Sequence, residues 1–169
     1  RNKTDIQRWQ RVIIRALSEL MNNKKFISIS LFAYAFLIIF ISHLQMNDSG
    51  QGFIKINDKV LHMSEYFILG ILSVRYIMVV LGKKPAQSYF LTFVCCALFA
   101  VTDEIHQGFV GYFDSGIFGG IRNPDLFDFF ADSSGIAVSL FVIYFYRNSR
   151  KNSKYIREQN DWRKENYKN

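Results

Sequence analysis

The sequence predicts an all-α integral membrane protein, a four-helix transmembrane bundle with an N-terminal interfacial amphipathic helix. Half of the 169 residues are hydrophobic, and the middle of the chain repeats apolar stretches of about 20 residues, the length that crosses a bilayer. The basic residues lie instead at the ends, with seven of the 21 Lys and Arg in 1–25 and eight in 147–169. We therefore divide the chain into an amphipathic segment at 1–25, a four-helix domain at 26–146 and a basic tail at 147–169.

The N-terminal segment has the pattern of an amphipathic helix. Residues 4–21 carry apolar side chains at spacings of three and four, opposite Arg8, Arg11 and Arg15. This periodicity indicates a helix that lies on the cytoplasmic leaflet of the membrane. A helix that packs on a partner protein would show the same pattern and stays the alternative. The apolar positions are Ile6, Trp9, Ile13, Leu17 and Leu20.

Four apolar stretches in the middle of the chain approach the length of a bilayer span. They cover residues 26–44, 60–81, 86–107 and 124–146. The first contains no Lys, Arg, Asp or Glu, whereas polar residues interrupt the second and the fourth. After the fourth span, residues 147–169 either extend its helix or form a solvated tail, and we predict the tail.

The basic residues also predict the orientation of the spans. Four spans place both termini on one side, together with Lys83 and Lys84 between the second and third spans. That side holds 17 of the 21 Lys and Arg, and the opposite side holds Lys55, Lys59 and Arg122. Because basic residues accumulate on the cytoplasmic side, we place both termini in the cytoplasm. Basic ends that face anionic lipids then account for the net charge of +7 without a nucleic-acid partner.

Residues 45–57 and 108–123 join spans on the predicted outer side. The second segment mixes five glycines with aromatic residues. Glycine makes the backbone pliable, and aromatic side chains favour the headgroup region. We expect either a lid that dips into the leaflet or a plain interfacial loop.

Polar residues gather at the outer ends of the second, third and fourth spans. Spacings of three and four place many of them on shared helix faces. Because ionisable groups at membrane depth face a bundle interior or a watery cavity, we predict that they form a single outward-facing site. In chain order they are Asp58, Lys59, His62, Glu65, Tyr66, Asp103, Glu104, His106, Gln107, Arg122, Asp125, Asp128 and Asp132.

The charges in this predicted site do not balance. Seven of its members are acids, against Lys59 and Arg122, so protonation, hydration or a bound cation is expected. Carboxylates suit a hard divalent cation, and the two histidines would allow zinc or manganese. Simpler roles also remain open, since Asp125 suits the first turn of a helix and Lys59 can extend towards the interface. Glu65 would equally bond to a neighbouring helix.

These residues resemble a known family in three consecutive strings. The strings are Asp58-Lys59-x-x-His62-x-x-x-Tyr66-x-x-Leu69-Gly70, then Asp103-Glu104-x-His106-Gln107, then Arg122, Asp128, Asp132 and Gly135. Together they span about residues 57–140 and resemble the VanZ-like family, small helical membrane proteins of bacteria named for a teicoplanin-resistance protein. The resemblance implies a multi-pass protein of the bacterial cytoplasmic membrane. In the family a short proline-containing turn leads to the arginine, whereas residues 108–121 lengthen that connection here.

The first functional hypothesis is a binding protein of the cell envelope. Its outward site would engage a lipid-linked envelope component or the lipid tail of a teicoplanin-type lipoglycopeptide, with low-level resistance as the outcome. In this hypothesis Arg122 and Lys59 hold a phosphate or carboxylate. The remaining binding residues are Asp58, His62, Glu65, Tyr66, Gln107 and Asp125.

The alternative is a metal-assisted hydrolase or transferase that acts on a lipid-linked phosphate or ester. Its metal ligands, or its acid and base, would come from Asp103, Glu104, His106, Asp128 and Asp132. A transporter that relays protons through buried acids and a polar network that only holds the helices together are two further interpretations.

Overall fold

The computed structural model describes residues 3–43, 58–113 and 126–166, and every regular element in these ranges is helical. The all-α prediction is therefore confirmed for the described residues. Four of the helices are long and apolar enough to cross a membrane, which agrees with the four predicted spans. The helices are α1 (Lys3–Asn22), α2 (Lys24–His43), α3 (Asp58–Arg75, continued by a π-helical turn at Tyr76–Val80), α4 (Pro85–Phe113) and α5 (Leu126–Asn166).

Two of the helix boundaries have clear local causes. The side-chain oxygen of Asn23 accepts hydrogen bonds from the backbone N–H groups of Lys25 (2.9 Å) and Phe26 (3.3 Å). Asn23 thus caps α2 and separates it from α1. The π-helical turn ends at Val80, and the chain then turns at Gly82, whose φ of +65° is readily adopted by glycine. Pro85 then begins α4, a position where its missing N–H costs no helical hydrogen bond.

Helix α1 covers the predicted residues 4–21. Its apolar residues Trp9 and Ile13 are exposed at 67% and 54%. They are therefore not covered by the described part of the bundle. The position of α1 on a membrane surface stays a prediction.

Helix α4 is longer than the sequence predicts. It continues to Phe113, so Gly108 and Gly111 lie within a helix rather than in the expected loop at 108–123. Each glycine costs a helix only about 1 kcal/mol relative to alanine, which a long helix tolerates. Residues 114–123 of the predicted loop lie outside the described residues.

Helix α5 also extends beyond the predicted fourth span. It continues through the basic segment to Asn166, so the prediction of a separate solvated tail at 147–169 is wrong for most of that segment. The segment is strongly exposed, but ion pairs between neighbouring turns support its helix. One of them joins Lys154 to Glu158 at 3.6 Å.

Helices α3 and α5 run parallel and form the most extensive contact in the bundle. Lys59 contacts Asp128 near the start of both helices, and Gly70 packs on Ser139 further along both. Glu104, in the C-terminal half of α4, meets His62 and Asp132 near the beginnings of α3 and α5. Helix α4 therefore runs antiparallel to the other two.

Glycine permits the close approach of α3 and α5. A Cβ atom at Gly135 would lie 2.2 Å from the backbone oxygen of Met63, and one at Gly70 would lie 2.1 Å from the hydroxyl of Ser139. Small residues at such crossings are typical of helices that pack in membranes. The register that they allow places the polar residues of α3 beside those of α5.

The bundle exposes apolar side chains and buries polar ones. Ile29, Phe90 and Phe141 are exposed at 67%, 69% and 62%, whereas Asp132 and Thr92 are fully buried. This distribution is typical of helices surrounded by lipid, where the hydrocarbon solvates the outside and polar groups turn inward.

Candidate functional site

One end of the bundle brings together side chains from α3, α4 and α5. All of them were expected from the sequence to share a site. Their roles in binding or catalysis stay predictions. We call this group the polar site; it consists of Lys59, His62, Tyr66, Asp103, Glu104, Asp128 and Asp132.

Two polar pairs join α3 to α5 within the polar site. The Lys59 ammonium forms a salt bridge with Oδ1 of Asp128, and Nδ1 of His62 lies 3.1 Å from Oδ1 of Asp132. The spacing is three residues on α3 and four on α5, so the pairs stack on successive turns of two parallel helices. The His62 and Asp132 side chains are 5% and 1% exposed. Asp128 is also buried, while Lys59 is partly exposed.

Helix α4 completes the polar site from the opposite direction. Helix α4 contributes Glu104. One of its carboxylate oxygens lies within 4.8 Å of a ring nitrogen of His62 and of a carboxylate oxygen of Asp132, and these last two atoms are equally close to each other. The neighbouring Asp103 is buried and lies close enough to Asp132 and Tyr66 to interact with both electrostatically. Each of three helices thus contributes at least one carboxylate or imidazole to a shared space.

Some buried oxygen atoms of the polar site have no hydrogen-bond partner within the described residues. Among them are the hydroxyl of Tyr66 and Oδ2 of Asp132, and both residues are fully buried. The Tyr66 ring packs on Phe99, with 6.2 Å between the ring centroids. Tyr66 also lies close enough to Asp103 and Asp132 to interact with both electrostatically. Because buried polar atoms normally have hydrogen-bond partners, these two atoms indicate a partner that the described residues do not supply.

The carboxyl groups of the polar site outnumber its basic groups among the described residues. Four buried carboxyl groups meet one ammonium and one imidazole. The Lys59 ammonium is already engaged by Asp128. A site with this balance favours a cation more than an anion unless something offsets the carboxylates.

Other predicted residues lie at the edge of the polar site or outside the description. Glu65 is half-buried on α3, and its backbone oxygen accepts a 3.3 Å hydrogen bond from the Tyr34 hydroxyl of α2. His106 is half-buried and does not belong to the group formed by His62, Glu104 and Asp132. The side chains of Asp58 and Gln107, and the whole of Arg122 and Asp125, lie outside the described residues.

The contact from Tyr34 was not predicted from the sequence. Tyr34 is one aromatic residue among many in an apolar span, so neither spacing nor charge distinguishes it. Its hydroxyl ties α2 to the part of α3 that carries the polar site.

Comparison of the chain with protein-family models, curated proteins and solved structures gives no match. The VanZ-like resemblance therefore stays a prediction that rests on the residues of the three strings.

Proposed function

We propose that this chain is a VanZ-like protein of the bacterial cytoplasmic membrane that binds a lipid-linked envelope component, or a teicoplanin-type lipoglycopeptide, in the polar site. The observation that supports this most is the meeting of buried ionisable side chains from three helices at one bundle end. Such groups are costly at membrane depth and tend to mark substrate or ion pathways. In this proposal both termini are cytoplasmic, the site opens to the outer leaflet, and ligand binding there confers low-level resistance.

The surroundings of the polar site suit a ligand with an ionic head and a lipid tail. In the first turns of α5, Leu126, Phe127 and Phe130 are exposed at 76%, 71% and 61%, next to the buried Asp128 and Asp132. A polar head would enter the bundle between α3, α4 and α5, while its lipid tail would lie along this apolar surface. The hydrophobic effect and the polar contacts would then act on different parts of one molecule.

Binding can be measured with the purified chain in lipid nanodiscs. The probes are a fluorescent polyprenyl diphosphate and, separately, teicoplanin. We expect saturable binding of at least one probe, with a loss of affinity of about tenfold or more for His62→Gln, because the site loses an oriented ring nitrogen. Ser73→Ala, a substitution in the other half of the bundle, is the matched control and should bind like the wild type. Absence of saturable binding by the wild type would rule the proposal out.

The proposed orientation has its own test. The native Cys95 and Cys96 are first changed to alanine. A single cysteine is then introduced at Ser49 in one variant and at Ser153 in another. A membrane-impermeant maleimide applied to intact bacterial cells or spheroplasts should label Ser49→Cys, whereas Ser153→Cys should react only after lysis. The reverse pattern would place the polar site on the cytoplasmic side and contradict binding at the outer leaflet.

A hydrolase or transferase acting on a lipid-linked phosphate or ester is a second candidate function. The His62–Asp132 pair favours it, because a carboxylate beside an imidazole fixes the ring so that it can accept or donate a proton. Glu104, within 4.8 Å of both, would supply a further acid or base. Release of phosphate or of the lipid alcohol from the polyprenyl diphosphate probe would support this function. Binding without turnover would leave the chain a binding protein.

A further inference from the structure

Three side chains in the polar site come from three different helices and converge on one point. A ring nitrogen of His62 from α3 and carboxylate oxygens of Glu104 from α4 and Asp132 from α5 all lie within 4.8 Å of one another. His62 and Asp132 already approach to 3.1 Å. Small side-chain rotations would bring the three atoms to a common ion, since zinc sits about 2.0–2.2 Å from such ligands. Imidazole together with carboxylates suits zinc and manganese.

A second feature, outside this trio, also indicates a missing partner. The Tyr66 hydroxyl is fully buried, has no hydrogen-bond partner in the described chain and interacts electrostatically with the carboxyl groups of Asp103 and Asp132. His62 and Tyr66 are four residues apart on α3, so they share one helix face. The hydroxyl would donate a hydrogen bond either to a water molecule bound to an ion or to a carboxylate that binds the ion. Such outer partners are a regular part of metal sites.

The surrounding charges favour a cation in this position. Asp103 and Asp128 add carboxyl groups next to those of Glu104 and Asp132. In a low-dielectric bundle interior, neighbouring carboxylates repel one another strongly. A divalent ion would offset that repulsion at the centre of the group.

We infer that His62, Glu104 and Asp132 form a binding site for a divalent transition-metal ion, Zn²⁺ or Mn²⁺. One part of this inference rests on the proposed function: the ion would provide the positive charge that lets an anionic lipid head enter an acidic site. The metal site itself depends only on the three side chains and would exist without that ligand.

Metal binding is tested on the full chain, purified in nanodiscs and stripped with a chelator. Zn²⁺ and Mn²⁺ are titrated in turn, and the bound metal is counted by mass spectrometry after dialysis. We expect a single tightly bound ion per chain, weakened about tenfold or more by Glu104→Gln and by His62→Gln. His106→Gln, which removes a nearby histidine outside the trio, should retain the ion. Wild-type protein that binds neither metal would overturn the inference, as would trio variants that bind like the wild type.

A spectroscopic measurement that needs no substitution within the trio provides an independent test if the trio variants do not fold. Electron spin-echo spectroscopy of bound Mn²⁺ detects a directly coordinated imidazole nitrogen. A nitrogen coupling that persists in His106→Gln and in His43→Gln identifies His62 as its source, since these are the other two histidines of the chain. A bound Mn²⁺ without nitrogen coupling would contradict the assigned site.

The link to the proposed ligand needs a separate comparison. Affinity for the polyprenyl diphosphate probe is measured with Zn²⁺ and after chelation, and we expect it to be about tenfold or more higher with the ion. Equal affinity in both conditions would overturn the role of the ion in binding. If the metal binds but the probe does not, the metal site stands and the proposed function fails.

Discussion

The two halves of the α3–α5 bundle bury polar side chains of different kinds. At one end, the polar site collects carboxylates, an ammonium and an imidazole. The other half buries hydroxyl and thiol groups, which carry no charge. These residues are Ser73, Ser88, Thr92, Cys96 and Ser139.

Most of the neutral groups form hydrogen bonds with nearby residues. The Ser139 hydroxyl donates to the backbone oxygen of Ile136 at 2.7 Å, and the Cys96 thiol donates to the Ser73 hydroxyl at 3.3 Å. The hydroxyl of Thr92 has no hydrogen-bond partner among the described residues, but this group is uncharged. Hydroxyl groups bond readily to the backbone of their own helix, whereas carboxylates need donors or cations from elsewhere. The comparison therefore separates a half whose polar groups mostly find partners within the bundle from a half whose buried carboxyl groups suit the ligand that we propose.

The contact that aligns both halves should be the most sensitive to substitution. Gly135→Ala would drive a Cβ atom into the backbone of α3, where Met63 and Phe67 leave no space for it. We expect a loss of about 3 kcal/mol or more in unfolding free energy, because overpacking against backbone cannot relax. Reversible unfolding in detergent measures it.

Gly70→Ala is the matched control for that substitution. Its new Cβ would meet mainly the Ser139 hydroxyl, which can rotate away, so we expect a loss of about 1 kcal/mol. Equal losses for the two variants would show that the approach of α3 to α5 does not determine the register.

The salt bridge at the entrance of the polar site should contribute less. Lys59→Met leaves the carboxyl group of Asp128 buried beside an apolar side chain. Because the Lys59 side chain is 38% exposed, we expect a loss of about 2 kcal/mol, between the values for fully buried and exposed pairs. Thermal unfolding is measured for Lys59→Met and for the double variant Lys59→Met with Asp128→Leu. The comparison separates the cost of leaving the Asp128 carboxyl group without Lys59 from the net contribution of the pair. The double variant should recover most of the loss, and failure to recover would mean that the pair itself stabilises the bundle.

The neutral half should respond weakly and without any effect on binding. Cys96→Ala removes one thiol–hydroxyl hydrogen bond and a small volume, so we expect a loss of about 1 kcal/mol. Affinity for the polyprenyl diphosphate probe should not change. A large fall in affinity would mean that the neutral half also belongs to the binding site.

The sequence predicts the larger features of this arrangement well, because they depend on local properties. Apolar stretches predict the four spans, and an alternating topology predicts that the polar ends of α3, α4 and α5 meet. The pairing of Lys59 with Asp128 and of His62 with Asp132 was not predicted, since it depends on the register that Gly135 allows.

The errors at helix ends also have a physical reason. In the sequence, the glycines before Phe113 indicate a loop, and the charged residues beyond residue 146 indicate a tail. Both signals are weak where a long helix is already formed, since adding residues to it costs little compared with starting a new one.

Asp132→Asn tests most directly whether the polar site exists for a ligand rather than for stability. The amide keeps the shape and can still hydrogen-bond to His62, but it replaces a buried carboxyl group. We predict an unfolding free energy equal to or above that of the wild type, because the substitution removes one of several neighbouring buried carboxyl groups. We also predict a fall of about tenfold or more in affinity for the polyprenyl diphosphate probe. A less stable protein with unchanged affinity would contradict the account and make the polar site a structural network.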